Sequence, residues 1–271
     1  MNTIDVIQEK TAWAKRELLK IHKIAPGIRI ASSLSCIEIL TTLYYGKLVN
    51  FDPKNLFWEN RDRVIISKAH GSIVLYPIFA DLGYFSKDQL PLVGKPGGIL
   101  ADIPDCSIPG YETLTGALGH GLGVACGIAL ALKRKGRKEK VFVLLGDGEL
   151  FEGAVWEAIM FAAHHNLGNL ILIIDNNRIS MLDYCKNIID LTPIEKKFET
   201  FGWQFVIVDG HDISKLYSIL SSAKEVTTIK PCVLIANTIK GRGVPRLEKD
   251  SLCHIKSLSV EEVDQLLLEM V

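Results

Sequence analysis

The sequence has no charge excess, with 31 Lys and Arg against 31 Asp and Glu, so nothing in it favours nucleic acid or an anionic membrane surface. No apolar run approaches the roughly 20 residues that span a bilayer. The N-terminal MNTIDVIQEKTAWAKRELLKIHK is interleaved with charge and has no signal-peptide core. The six cysteines (Cys36, Cys106, Cys126, Cys185, Cys232, Cys253) are scattered and form no CxxC. That spacing excludes a thiolate metal cluster and argues against a disulfide framework, so the expected compartment is a reducing cytoplasm. The nucleotide fingerprints are missing too. In GALGHGLGVACG, Gly119-His-Gly121 leads to Val124 and Gly121-Leu-Gly123 leads to Cys126, where a small residue is needed, and there is no G-x-x-x-x-G-K-[ST]. A dinucleotide dehydrogenase or a P-loop enzyme is thereby disfavoured.

What is present is an alternation of short β-rich runs and longer helical ones in a chain long enough for a sizeable core. RVIIS (63–67), VFVLL (141–145), LILII (170–174), WQFVIV (203–208) and PCVLIANT (231–238) read as strands. Helices are expected over about 70–82, 152–166 and 214–226. Near-continuous apolar strands alternating with helices predict an α/β fold: a doubly wound, mostly parallel sheet with helices on both faces. The basic run KRKGRKEK (133–140) follows a helix-like stretch and reads as a solvated helix end complementing the dipole. Residues 83–115, rich in Pro and Gly, form a long loop of the kind that usually carries function.

In such a sheet ligands bind at the carboxyl ends of the strands, where the polar clusters of this chain fall. VFVLL stops at Gly146-Asp147-Gly148, and LILII stops at Asp175-Asn176-Asn177. One strand–helix–strand crossover separates them, so Asp147 and Asn177 are expected at one edge on neighbouring strands. A carboxylate and an amide oxygen suit Mg²⁺, which prefers one or two carboxylates with phosphate oxygens and water. Gly146 and Gly148 let the backbone approach a phosphate, and the helix after Glu152 offers its N-terminus to the anion. Glu149 reads as a helix first-turn charge.

At this point the sequence resembles a family. GDGELFEGAVWEAIMFAAHHNLGNLILIIDNN is similar to the thiamine diphosphate motif of transketolases, in the form found in split N-terminal subunits. RDRVIISKAHGS, GYETLTGALGHGLG, FETFGWQFVIVDGHD and TIKGRGV match family stretches in the same order, so the resemblance covers nearly the whole chain. It implies a thiamin diphosphate-binding fold of the diphosphate type over residues 1–271. It implies Mg²⁺ (or Ca²⁺ or Mn²⁺) held by Asp147, Asn177 and the carbonyl of Ile179, with Gly148, His70 and His254 near the diphosphate. Gly116 and Leu118 would offer backbone groups to the aminopyrimidine, and Glu152 would sit at a subunit interface. His254 stands in Cys253-His254-Ile255 where the family has Trp-His-Gly. His120 stands where the family has Gln and is open to a ligand-facing role. His164 and His165, near a helix end, read as structural, and His211 matches the family without a catalytic assignment.

The resemblance also exposes two gaps. The second, pyrimidine-binding domain, whose glutamate activates the cofactor, does not follow. The expectation is therefore a separate C-terminal transketolase-like subunit, in a heterodimer or heterotetramer acting on sugars or sugar phosphates. Two family histidines that contact a ketose donor are replaced as well, one by Arg29 and the other by Asp102 or, with a one-residue shift, Ile103. Arg29 is open to two readings, a solvated loop charge or a bidentate partner for a carboxylate or phosphate. The expected chemistry is transfer of a two-carbon ketol unit from a ketose to an aldehyde. The alternatives are 2-oxo-acid-dependent acyl transfer to a sugar and a non-catalytic assembly role.

Overall fold

The computed structural model describes residues 2–114, 116–226 and 228–270. Three helices come first: α1 (Thr3–Ile24), α2 (Ile30–Ser35) and α3 (Ile37–Tyr45). Sequence reading assigned no element to this region, yet the reason for α1 is local. The Asn2 side chain accepts from Asp5 N at 2.9 Å while Asp5 accepts from Asn2 N at 3.2 Å, a reciprocal cap. Ile7, Ala14, Leu18 and Ile21 then bury one stripe of it.

The sheet elements are β1 (Arg63–Ile66), β2 (Val141–Gly146), β3 (Leu170–Asn176), β4 (Gln204–Asp209) and β5 (Cys232–Asn237). They lie in the order β1-β2-β3-β5-β4, and every pairing is parallel. The remaining helices are α4 (Leu75–Leu82), α5 (His120–Arg134), α6 (Gly153–His164), α7 (Cys185–Ile188), α8 (Ile194–Thr200), α9 (Ile213–Glu225), α10 (Pro245–Glu248) and α11 (Val260–Glu269). The expected helix over 70–82 divides into a 3₁₀ turn, Ala69–Val74, and α4. The basic run falls where it was expected, with Lys133 and Arg134 in the last turn of α5.

Alternation along each strand separates two cores. Phe142, Leu144, Ile171, Ile173 and Leu234 face the helices of the N-terminal region, α9 and α11. Val141, Val143, Leu145, Leu170 and Leu172 face α5, α6 and α8. Both faces are covered, as a doubly wound sheet requires. Among the described residues no helix is long and apolar enough to cross a membrane, and all six cysteines are free.

Candidate cofactor and metal site

β2 and β3 are hydrogen-bonded neighbours in register Gly146↔Asp175, so Asp147 and Asn177 leave the sheet side by side. Asp147 opens a 3₁₀ turn, Asp147–Phe151, and is 4% exposed. One carboxylate oxygen accepts from Gly148 N at 2.8 Å and the other from Arg178 N. Burial, then the charge of Asp175, pushes its pKa up to about 6. The Asn177 amide oxygen accepts from Ile179 N at 3.1 Å, which turns the following loop back on itself. The Ile179 carbonyl accepts from the Lys240 ammonium at 2.6 Å, and Ser180 O accepts from the same ammonium at 3.1 Å.

These three oxygens fit a hard divalent ion. A buried carboxylate with a raised pKa is a charge awaiting a cation, and the ammonium on Ile179 O already puts one against that carbonyl. No cluster of three or more His, Cys, Asp or Glu side chains suited to a metal occurs among the described residues. The set is therefore one carboxylate, one amide and one carbonyl, which leaves coordination positions for phosphate oxygens and water.

Asp147, Asn177, Ile179 and Lys240 form a partition between two cavities. One, of about 220 Å³, is also lined by His70, His254, Gly116, Leu118, Gly146 and Gly148, all named from sequence. The other, of about 760 Å³, opens toward residues 184–195. The smaller one lies below, and the larger one within, the roughly 300–1,000 Å³ typical of small-molecule pockets.

His254 Nε2 lies 3.1 Å from His70 Nδ1, and His254 Nδ1 lies 3.3 Å from Ser32 Oγ. Burial, then Lys240 and His70, lowers the His254 pKa to about 3. Burial, then Arg29, Lys240 and Lys68, lowers that of His70. Both shifts favour the neutral ring, and the contacts form a Ser32–His254–His70 hydrogen-bonded chain. Among the described residues it leaves His70 Nε2 without a hydrogen-bond partner.

Other named residues lie outside the smaller cavity. Glu152 is exposed at the start of α6. His120 is exposed, with Nδ1 3.1 Å from Leu118 O. Arg29 donates to Ile255 O at 3.4 Å, and Asp102 packs on its own loop, where a Cβ on Gly94 would meet its Oδ1 at 2.6 Å. Ile103, not Asp102, approaches the cavity wall, its Cγ2 lying 3.6 Å from where a Gly116 Cβ would stand. His211 bridges Glu38, at 3.1 Å, and Ile239 N, at 2.8 Å, as a structural tie.

Glu149 stands in the first turn of the 3₁₀ element, as read from sequence, but it is 2% exposed and has partners the sequence did not reveal. Its carboxylate accepts from Ser67 Oγ, from Gly119 N at 2.9 Å and from Gly146 N at 3.4 Å. It thus ties the start of α5 to the end of β2. The approach is close: a Cβ on Gly121 would meet Ser67 Cβ at 2.5 Å, which is why glycine stands there. Glu149→Gln cannot accept all three bonds, and a buried donor left unmatched costs about 1–3 kcal/mol. The Gln carbonyl can keep Ser67 and Gly119, which share one oxygen, so the variant should melt earlier and exchange the Gly146 amide faster; an unchanged melt with unchanged exchange refutes the tie.

Sequence reading also missed Lys68 and Asp175. Lys68 donates to Asp175, which is fully buried and also accepts from Ser35 and Thr238 and, at 3.2 Å, from Asn177 Nδ2. Burial alone would lower the Lys68 pKa and raise that of Asp175, but their mutual attraction reverses both shifts. The pair orients the amide of Asn177. The signal available was the Asp two residues before Asn177, inside an otherwise apolar strand.

Comparison with known proteins places the chain in a family. The family profile "Transketolase, thiamine diphosphate binding domain" matches residues 20–270. The chain belongs to that family. One relative is a subunit of the apulose-4-phosphate transketolase of Actinobacillus succinogenes, 39% identical over 268 residues that cover 98% of this chain and 96% of the relative. Another is the 6-deoxy-6-sulfo-D-fructose transketolase subunit SqwG of a Clostridium species, 36% identical over 259 residues that cover 95% and 93%. The crystal structure of the Campylobacter jejuni transketolase superposes with a TM-score of 0.89 at 31% identity. The match takes in 99% of this transketolase-type chain and 43% of the Campylobacter protein, so the chain spans less than half the length of that transketolase.

Proposed function

We propose that the chain is the thiamine-diphosphate-binding subunit of a split transketolase, transferring a two-carbon ketol unit from a ketose donor to an aldehyde acceptor. The observation that carries this reading is the Asp147–Asn177–Ile179 oxygen set on the wall of a cavity also lined by Gly146, Gly148, His70 and His254. Asp147, Asn177 and Ile179 O would hold Mg²⁺, and the glycines of Gly146-Asp147-Gly148 would lie under the diphosphate. When bound, the cofactor supplies a carbon nucleophile for the donor carbonyl. The chain's own residues anchor that group and exclude water, and His70 Nε2 gives or takes a proton at the site. A partner subunit with the pyrimidine-binding domain would close the cavity, forming a cytoplasmic heterodimer or heterotetramer. Val124 on α5 and Met160 and Phe161 on α6 are between 39% and 48% exposed, apolar side chains that such a partner could cover.

The test is capture of this chain from its native cells with Mg²⁺ and thiamine diphosphate, then donor assays on what is recovered. A stoichiometric partner with a second α/β domain and ketol transfer by the pair supports the reading. Recovery of the chain alone, without cofactor, restores the assembly role.

One observation favours an acidic donor such as a 2-oxo acid. The Arg29 guanidinium acts on His70 and His254 yet makes only the single long bond to Ile255 O, with no carboxylate partner among the described residues. If it binds a donor carboxylate, Arg29→Gln raises KM for pyruvate by about tenfold or more and leaves neutral ketoses unchanged. Equal effects on both donors reject the acidic-donor reading.

A further inference from the structure

Lys240 is 5% exposed, and among the described residues its ammonium has no carboxylate partner. Its bonds go to two consecutive backbone carbonyls, Ile179 O at 2.6 Å and Ser180 O at 3.1 Å. A buried ammonium held only by carbonyls is costly and is kept where it has a task. Those carbonyls sit in a loop held by its own hydrogen bonds. Asn177 Oδ1 takes Ile179 N, an antiparallel bridge joins Ile179 to Tyr184, and Ser180 N donates to Asp183 O at 2.9 Å. The Ile179 carbonyl is thus aimed in advance, and Lys240 satisfies it.

We infer that Lys240 is a resident counter-cation: it holds the Ile179 carbonyl in the metal-free chain, and a divalent ion seated on Asp147 and Asn177 takes that carbonyl from it. The inference rests on the proposal that Ile179 O is a metal ligand. A divalent ion and an ammonium on one carbonyl, shielded from water, repel strongly, so one must leave. The arrangement keeps the loop in its metal-receiving shape while setting a threshold against loose cation binding.

The experiment measures Mn²⁺ binding to the purified full chain by electron paramagnetic resonance of the free ion, without cofactor. Lys240→Met should bind Mn²⁺ at least about tenfold more tightly than the native chain, because a repelling charge has gone. Lys240→Arg, which keeps the charge, should stay close to native. Asp147→Asn in the Lys240→Met background should lose the ion, which assigns the binding to this seat. Asp147-dependent binding of equal or lower affinity in Lys240→Met overturns the exchange and leaves the metal proposal standing. No Asp147-dependent binding in any variant overturns both. Should Lys240→Met fail to fold, Mg²⁺ titration of the native chain with ¹⁵N-lysine NMR decides. The Lys240 ammonium signal should move in step with occupancy, and a signal unmoved at saturation overturns the exchange.

Discussion

Asp147→Asn should abolish divalent-metal binding and, with it, metal-dependent retention of thiamine diphosphate. Asp147 is the one carboxylate in the oxygen set, and losing it removes the formal charge that holds the ion. Loss of an outer partner of a metal ligand costs about 10–100-fold in affinity, and loss of the charged ligand itself should exceed that range. The same residue predicts a pH dependence. Its pKa in the metal-free chain is about 6, so below that value a proton occupies the oxygens the metal needs. Above pH 6 the carboxylate is ionised and metal affinity should be flat from this cause. Below it, affinity should fall by up to about tenfold per pH unit, since one proton is displaced per metal bound. Calorimetric titration with Mg²⁺ between pH 5 and pH 8 measures this, and a profile flat throughout excludes Asp147 as the ligand.

The largest stability effect should come from Asp175→Asn. It leaves the Lys68 ammonium buried without its counter-charge, and breaking such a pair costs about 3–5 kcal/mol. For a chain of this size that corresponds to a fall in Tm of roughly 10 °C. The double variant Lys68→Met/Asp175→Asn should recover much of the loss, because no unpaired charge remains. The pH window follows from the directions of the two shifts. Asp175 is lowered from 3.8, so its contribution is present above that value and fades as pH falls toward the folded pKa. Lys68 is raised from 10.5, so its contribution is present below that value and fades only in stronger base. The stability difference between native chain and variant should therefore be constant between about pH 4 and pH 10. A double variant no more stable than Asp175→Asn alone would show that the pair is not an isolated charge couple.

The framework was legible in the sequence because its signals are local. The five apolar runs became the five strands with ends shifted by at most two residues, and the spacing from Asp147 to Asn177 did place them on adjacent strands. Helix α1 went unread because charge interleaves its apolar stripe and the reciprocal cap at Asn2 and Asp5 is a weak signal in isolation, while α2 and α3 are short and buried nearly all round, so they show no amphipathic period. Glu149 was placed in a first turn correctly, but its buried partners were out of reach, because only tertiary folding brings Ser67 and Gly119 over it. Lys68 and Asp175 lie 107 residues apart, beyond the reach of any spacing argument. The family histidines at 254 and 70 were legible, but not that they form one hydrogen-bonded pair.

The register that sets Gly146 beside Asp175 has a consequence for how such an enzyme diversifies. The separation of Asp147 and Asn177 is set by neighbouring strands about 4.8 Å apart, not by any loop side chain. Arg29, Ile103 and His120 sit instead on a helix cap, a loop and a helix start, each outside the sheet. Substitutions there can drift or be grafted as a set while the anchor stays intact. A change of donor built on those three positions would therefore leave the spacing of Asp147 and Asn177 untouched.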